Sequence, residues 1–462
     1  MINEIINKLR DKKIAILGYG VEGKSTYKFI RRYLPEVELT LIDKRDVSHD
    51  LTGSGDPNVT YKIGDDYLNN LDIYDLIIKT PGISLKDIDI TNIKSKITSQ
   101  LELLLEVNRK NIIGITGTKG KSTTSTLIYQ MIKDQGRDVI LAGNIGIPVL
   151  DEIEKYTEDT TLVIEMSSHQ LEFIETSPHI ALLLNLYQDH LDHDGTLEHY
   201  HNNKMNIFRY QTEDDICFYS SDNPYTMKKL SEYDYKAKKY DISFDNNNRS
   251  EQSVRISKPN VFLGDKIIYT DGERNLIGDH YLKDIMFVVA LADILGLDLD
   301  KVKETIKSFK PLEYRLENMG IYDGINYYVD TIATIPEATI EAIKALPNID
   351  TLIVGGEDRN TDYDQFIEFL NNNHSIKNII CMYGTGKRII SELNKDGRNV
   401  WYTNELKEAV KLAKENTTKN KICLLSPAAS SKDYFTDYRE KGLYFKCLVT
   451  NQETNIKEHE KL

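Results

Sequence analysis

Strand-length apolar runs alternate with helix-length amphipathic stretches along almost the whole chain, and this spacing leaves few folds open. Parallel strands cannot be joined by a tight turn. Each needs a crossover, usually a helix, that covers the sheet and keeps both faces dry, so the strands read as continuous apolar runs. The runs fall into three blocks: KKIAILG, VELTLID and YDLIIKT; then NIIGIT, DVILA, TLVIEM, IALLLN and ICFYS; then INYYVD, TLIVGG, NIICM, NVWYT and KICLLS. At 462 residues the chain is too long for one core, and about three domains are expected. Seams at TNIKSKITSQ and SFKPLEYR predict domains over 1–97, 98–311 and 312–462. The polar stretch SFDNNNRSEQSVR, residues 243–255, reads as a loop or hairpin.

The sharpest chemical signal is IIGITGTKGKSTTSTLI, residues 112–128. A strand that turns abruptly into a helix leaves the first helical N–H groups unpaired, and those groups bind anions. Glycines let the backbone approach phosphate oxygens, a lysine adds a point charge, and a Ser or Thr hydroxyl can hold Mg²⁺. Gly117, Thr118, Lys119, Gly120, Lys121, Ser122 and Thr123 supply that set in the shortened form G-x-x-G-K-S, with Ile115 where the longer pattern has its first glycine. A nucleoside triphosphate is the expected ligand.

A second glycine loop follows the first strand. Gly18, Gly20 and Gly23 stand after IAILG, and LTLID ends about twenty residues later in Asp43, followed by Lys44 and Arg45. This is the dinucleotide-binding arrangement, with a diphosphate on the helix N-terminus and an acid near a ribose. A nicotinamide enzyme has no use for a separate ATP-type loop ninety residues on. The pair asks for one diphosphate ligand and one triphosphate. The fold class predicted is therefore α/β: a Rossmann-like N-terminal domain, a central P-loop-type ATPase on a mostly parallel sheet, and a Rossmann-like C-terminal domain.

The net charge of −14 argues against a nucleic-acid partner. No apolar run reaches the roughly 18 residues that span a bilayer, and MINEIINKLRDKK has no apolar core of a signal peptide. Cys217, Cys381, Cys423 and Cys447 lie far apart and form no metal-binding pattern. A reduced, cytoplasmic, monomeric enzyme without membrane insertion is expected.

Three further clusters follow strands of the central block. VIEMSSHQLE carries Glu165, Ser167 and Gln170; NLYQDHLDHDG carries His190; Lys204 comes fourteen residues later. Parallel sheets gather the carboxyl ends of their strands along one edge, where ligands bind, so Glu165 and His190 could meet the phosphates and Mg²⁺.

These segments, with Arg315 in YRLE, resemble the Mur ligases of peptidoglycan synthesis over nearly the whole chain, most weakly between residues 225 and 270. The glycine-rich first block and the length are similar to the branch that adds glutamate. The resemblance implies an ATP-dependent acid–amino-acid ligase joining glutamate, D-glutamate favoured, to UDP-N-acetylmuramoyl-L-alanine through an acyl phosphate. It implies that Lys121, Glu165, His190 and Lys204 are catalytic, and that Ser122, Glu165, His190 and a carbamylated Lys204 hold Mg²⁺. Asn144, Ser167 and Gln170 line up with muropeptide contacts, Arg315 and Asp330 with nucleotide contacts, and Thr334, Ser431 and Tyr438 with the remaining substrate contacts.

Two stretches depart from the family pattern. The D-glutamate enzymes carry Asp-Ser-Lys-Ala-Thr-Asn where this chain has Asp330-Thr331-Ile332-Ala333-Thr334-Ile335. An apolar Ile332 cannot offset a carboxylate, and Arg359 in GGEDRNTDY is the expected replacement cation. GDHYLKD has Tyr281 and Asp284 where the family favours asparagines, so the adenine contact at Asp284 can accept a hydrogen bond but not donate one. The alternatives are a variant branch that adds L-glutamate and, more remotely, a folylpolyglutamate-type ligase or a nicotinamide-dependent dehydrogenase.

Overall fold

A computed structural model describes residues 1–50, 55–189, 191–245, 250–359 and 361–458. It groups them into two compact units, one of residues 1–272 with 283–306 and the other of residues 273–282 with 307–462.

The first unit holds two sheets. Strands β1 (Ile14–Leu17), β2 (Leu39–Asp43), β3 (Val59–Ile63), β4 (Leu76–Lys79) and β5 (Ile97–Thr98) pair in the order β3-β2-β1-β4-β5, all parallel. The second sheet contains β6 (Ile112–Thr116), β7 (Val139–Gly143), β8 (Thr161–Glu165), β9 (Ile180–Leu183), β10 (Ile216–Ser220), β11 (Lys238–Ser243), β12 (Ser253–Ser257), β13 (Asn260–Leu263) and β14 (Lys266–Thr270). Its order is β14-β13-β12-β11-β10-β9-β6-β8-β7. The pairs from β7 to β12 are parallel, and β12, β13 and β14 form an antiparallel edge. The polar run 243–255 thus leads from one strand into another in the same sheet, and its residues 246–249 lie outside the described part.

The second unit carries β15 (Glu317–Tyr322), β16 (Ile325–Val329), β17 (Ile349–Val354), β18 (Asn378–Met382), β19 (Asn399–Thr403) and β20 (Ile422–Leu425) in the order β15-β16-β20-β17-β18-β19. Only β15 runs antiparallel. All five residues of β6 and all six of β17 are buried, as strands covered on both faces must be. The four cysteines are buried and unpaired, three of them in strands. No helix among the described residues is long and apolar enough to cross a membrane.

In each sheet several predicted site residues lie at or just after the carboxyl ends of strands, Asn144 after the edge strand β7. β6 lies between β8 and β9, which brings the lysine-rich loop, Glu165 and Asn185 to one edge.

Candidate active site

The turn from β6 into the helix Lys121–Asp134 is built without side-chain volume. Gly117 and Gly120 have φ of +154° and +87°, where side chains are strained. A Cβ on Gly120 would stand 2.7 Å from the Asp284 carboxylate, and one on Gly117 would stand 3.0 Å from Leu184 Cβ. Asn185 pins the loop: its carbonyl accepts from the Thr118 N–H at 3.0 Å, its side-chain oxygen accepts from the Lys119 N–H at 2.8 Å, and its amide donates to the Lys119 carbonyl at 3.0 Å. Thr118 Oγ1 accepts from the Tyr187 N–H at 2.9 Å and from the Tyr200 hydroxyl at 3.3 Å.

Two lysines converge here. Lys121 Nζ donates to the carbonyls of Gly117 and Thr118 at 3.0 and 3.1 Å, and Lys204 Nζ donates to the same Gly117 carbonyl at 3.0 Å. Lys204 is buried beside the Tyr200 ring, 4.8 Å from its centroid. Burial, reinforced by the charge of Lys121, holds its amine well below the usual lysine range. Lys119 pairs with Asp189 at 3.4 Å.

Glu165 closes β8 and is 1% exposed. Its Oε1 accepts from the Asn144 amide at 2.6 Å, while its Oε2 is buried with no hydrogen-bond partner among the described residues. A buried carboxylate oxygen left in that state is costly unless a cation or donor arrives, so the donor set fits a divalent metal. Ser122 is buried in the first turn of the loop's helix. His190 lies outside the described residues.

The N-terminal glycine loop is also sterically fixed. Gly18 has φ +94°, and a Cβ on Gly23 would meet the Gly18 carbonyl oxygen at 2.1 Å. Gly20 caps the following helix with open space around it. Asp43 ends β2, buried, and accepts from the Tyr19 and Arg45 N–H groups at 2.8 and 2.9 Å. Burial opposes its ionisation, but these amides and the Arg45 guanidinium hold it below its usual range. Lys44 is exposed and faces Asp65 at 3.6 Å. Ser167 and Gln170 form a reciprocal helix cap, and the Gln170 amide donates to Glu22 Oε1 at 2.6 Å. Asn144 is thereby tied to Glu165, and Gln170, capped by Ser167, to the glycine loop's helix.

In the second unit Asp330 follows β16, with its two oxygens accepting from the Leu316 N–H at 3.1 Å and the Ser426 hydroxyl at 2.9 Å. The Arg315 carbonyl accepts from the Tyr281 hydroxyl at 3.4 Å. Arg359 follows β17 and donates to Glu357 at 2.8 Å. Glu357 is in turn held by its own N–H on the Ser430 carbonyl at 2.7 Å. Ser431 follows β20, buried, with a hydroxyl that has no hydrogen-bond partner among the described residues. Tyr438 opens the helix Tyr438–Thr450, and its carbonyl accepts from the Thr331 hydroxyl at 2.7 Å. Ile332 and Thr334 are half-buried after β16.

Residues 115–292 match the Mur ligase middle domain. The chain is 30% identical to a UDP-N-acetylmuramoylalanine–D-glutamate ligase of Acetivibrio thermocellus over 98% of this chain and 99% of that one. It is 32% identical to the enzyme of the same name from Thermoanaerobacter sp. (strain X514), over 96% and 99%. The chain belongs to the Mur ligase family. Its fold is that of the solved MurF ligase from Thermotoga maritima in complex with ADP, with a TM-score of 0.59 at 16% identity over 96% of this chain and 97% of that one. A pseudomurein peptide ligase type C from Methanothermus fervidus matches with a TM-score of 0.58 at 17% identity, over 96% and 100%.

This Mur ligase family member also carries contacts that its sequence does not announce. Glu22 occupies a variable position of the glycine loop, and Tyr200 is one aromatic among many; only the fold brings the first to Gln170 and the second to Thr118. The pairing of Arg359 with Glu357 was in plain view two residues away.

Replacing Gly120 with alanine tests the loop geometry. A left-handed alanine costs about 1–2 kcal/mol and the new Cβ meets Asp284, so nucleotide affinity should fall about tenfold or more. Titration of ADP against the wild-type and Gly120→Ala proteins reads this directly; equal affinities would refute the loop assignment.

Proposed function

We propose that the chain is an ATP-dependent ligase, cytoplasmic and monomeric, that adds glutamate, D-glutamate by preference, to UDP-N-acetylmuramoyl-L-alanine in peptidoglycan synthesis. The observation that carries this reading is the meeting of Lys121 and Lys204 on the Gly117 carbonyl, on the sheet edge where Glu165 also keeps a buried oxygen unsatisfied.

The backbone of Gly117 to Ser122 would cradle the phosphates of ATP, and Lys121 would swing from the loop carbonyls onto the transferring group. Mg²⁺, when bound, neutralises the phosphate charge; Ser122 and Glu165 would hold it, with His190 and a carbamylated Lys204 completing the set. Burial supports that modification, because it favours the neutral form of the amine, which is the nucleophilic one. It adds CO₂ through a new N–C bond, loses a proton, and becomes an anion.

The diphosphate of the muropeptide would lie on the helix after Gly18, Gly20 and Gly23, with Asp43 and Arg45 near its nucleoside and Asn144, Ser167 and Gln170 along the peptide end. Its alanyl carboxylate attacks the γ-phosphorus of ATP and ADP leaves. The amine of glutamate then attacks the acyl carbon, the amide bond forms, and phosphate departs with loss of the amine proton. Thr334, Arg359, Ser431 and Tyr438 of the second unit would take the glutamate, and the unsatisfied Ser431 hydroxyl supports a polar ligand there. A guanidinium grips a carboxylate through two parallel hydrogen bonds. With Ile332 in place of a lysine, addition of L-glutamate is the second reading.

Phosphate release with ATP, UDP-N-acetylmuramoyl-L-alanine and each glutamate enantiomer in turn decides the reaction. Release should depend on glutamate and be faster with the D form; a faster L reaction selects the second reading, and no glutamate dependence contradicts both.

Lys204→Ala should lose activity by about two orders of magnitude or more, as expected for a group stabilising transition-state charge. Short carboxylic acids should restore part of it by replacing the carbamate, whereas Lys204→Arg should resist rescue. Normal turnover in Lys204→Ala would refute the role.

A further inference from the structure

Two histidines and an aspartate stand together where the ligase chemistry has no use for them. His169 lies in the single-turn helix Ser168–Leu171, and His193 and Asp194 end the single-turn helix Leu191–Asp194. The rings of His169 and His193 stack with centroids 3.6 Å apart. His169 Nε2 lies 3.2 Å from Asp194 Oδ2, and one ligand atom from each of the three residues lies within 4.8 Å of the others. The other carboxylate oxygen, Oδ1, accepts from the Asn203 amide at 2.9 Å, the kind of outer contact that aims a metal ligand.

His193 Nε2 is buried and has no hydrogen-bond partner among the described residues. Leaving such an atom unsatisfied is costly, and simple ring packing gives it nothing in return. Burial, with His169 and Lys79 nearby, pushes His193 down to about 4, so the ring is neutral, which is the form that ligates metals. Lys79 is the opposing charge, and its ion pair with Glu172 at 3.1 Å offsets it.

We infer that His169, His193 and Asp194 form a transition-metal site of the Zn²⁺ class, separate from the nucleotide's Mg²⁺. Imidazole nitrogens suit Zn²⁺ and its neighbours, whereas Mg²⁺ takes oxygens. Bonds of about 2.0–2.2 Å in a tetrahedral set place donors roughly 3.3 Å apart, so the cluster must contract and the stacked rings must splay. Two single-turn helices can make that adjustment. Three protein ligands leave a fourth position open for water. Ser167 and Gln170 flank His169, so a bound metal would fasten their helix to Leu191–Asp194. The inference stands on these three side chains and does not depend on the ligase reading.

Chelator-treated full-length protein, saturated with Mg²⁺ and ADP, would be titrated with Co²⁺, whose tetrahedral complexes absorb strongly in the visible. One equivalent should bind with that absorption and be displaced by Zn²⁺. His169→Phe and His193→Gln should each abolish it, and Glu165→Gln should keep it. Circular dichroism checks that each variant is folded; should His193→Gln unfold, the half-buried His169→Phe decides. No tetrahedral band, a band that survives both histidine variants, or one lost in Glu165→Gln would overturn the site.

Discussion

Everything in the first unit's site is arranged around a strand-to-helix turn with no room for side chains. Gly117 and Gly120 take backbone conformations open to few other residues, and Leu184 and Asp284 fill the space where a Cβ would go. That close packing lets the backbone approach a phosphate, and the helix beginning at Lys121 adds the anion-binding N–H groups of its first turn. Asn185 then locks the turn from the neighbouring strand end through three hydrogen bonds. The order β9-β6-β8 sets Asn185 on one side of the loop and Glu165 on the other.

The electrostatics of the site complement that geometry. Two lysines share one backbone carbonyl, and one of them is fully enclosed. Burial and the charge of Lys121 disfavour the charged form of the Lys204 amine, and the Glu165 Oε2 has no hydrogen-bond partner among the described residues; a phosphate and a cation would complete both. A site of this kind would bind a nucleotide by completing its own charge balance. The helix of the first sheet's glycine loop is joined to the segment after Glu165 through Glu22, Gln170 and Ser167.

What the sequence made legible follows from the same physics. Strands buried on both faces are continuous apolar runs, and β1, β2, β4, β6 to β10 and β16 to β20 all read that way. β3 and β15 did not, because polar residues interrupt them; the edge strands β7 and β19 are partly exposed too but keep readable apolar runs. The meander β12 to β14 was hidden for a related reason: an antiparallel edge tolerates polar residues such as Arg255 and Lys266. Glycines and the loop lysines were readable because their roles are local. Glu22, Tyr200 and the cluster of His169, His193 and Asp194 were not, because their partners lie tens of residues away and only tertiary packing brings them into contact.

The central claim is that this turn passes a phosphoryl group to a carboxylate. It can be read from the fate of one oxygen atom. UDP-N-acetylmuramoyl-L-alanine labelled with ¹⁸O in the alanyl carboxylate would be turned over with ATP and glutamate, and the released phosphate analysed by mass spectrometry. Transfer of one labelled oxygen to phosphate is the result predicted, because an acyl phosphate gives up the oxygen that bridged carbon and phosphorus. Phosphate free of label, with amide product formed, would contradict it.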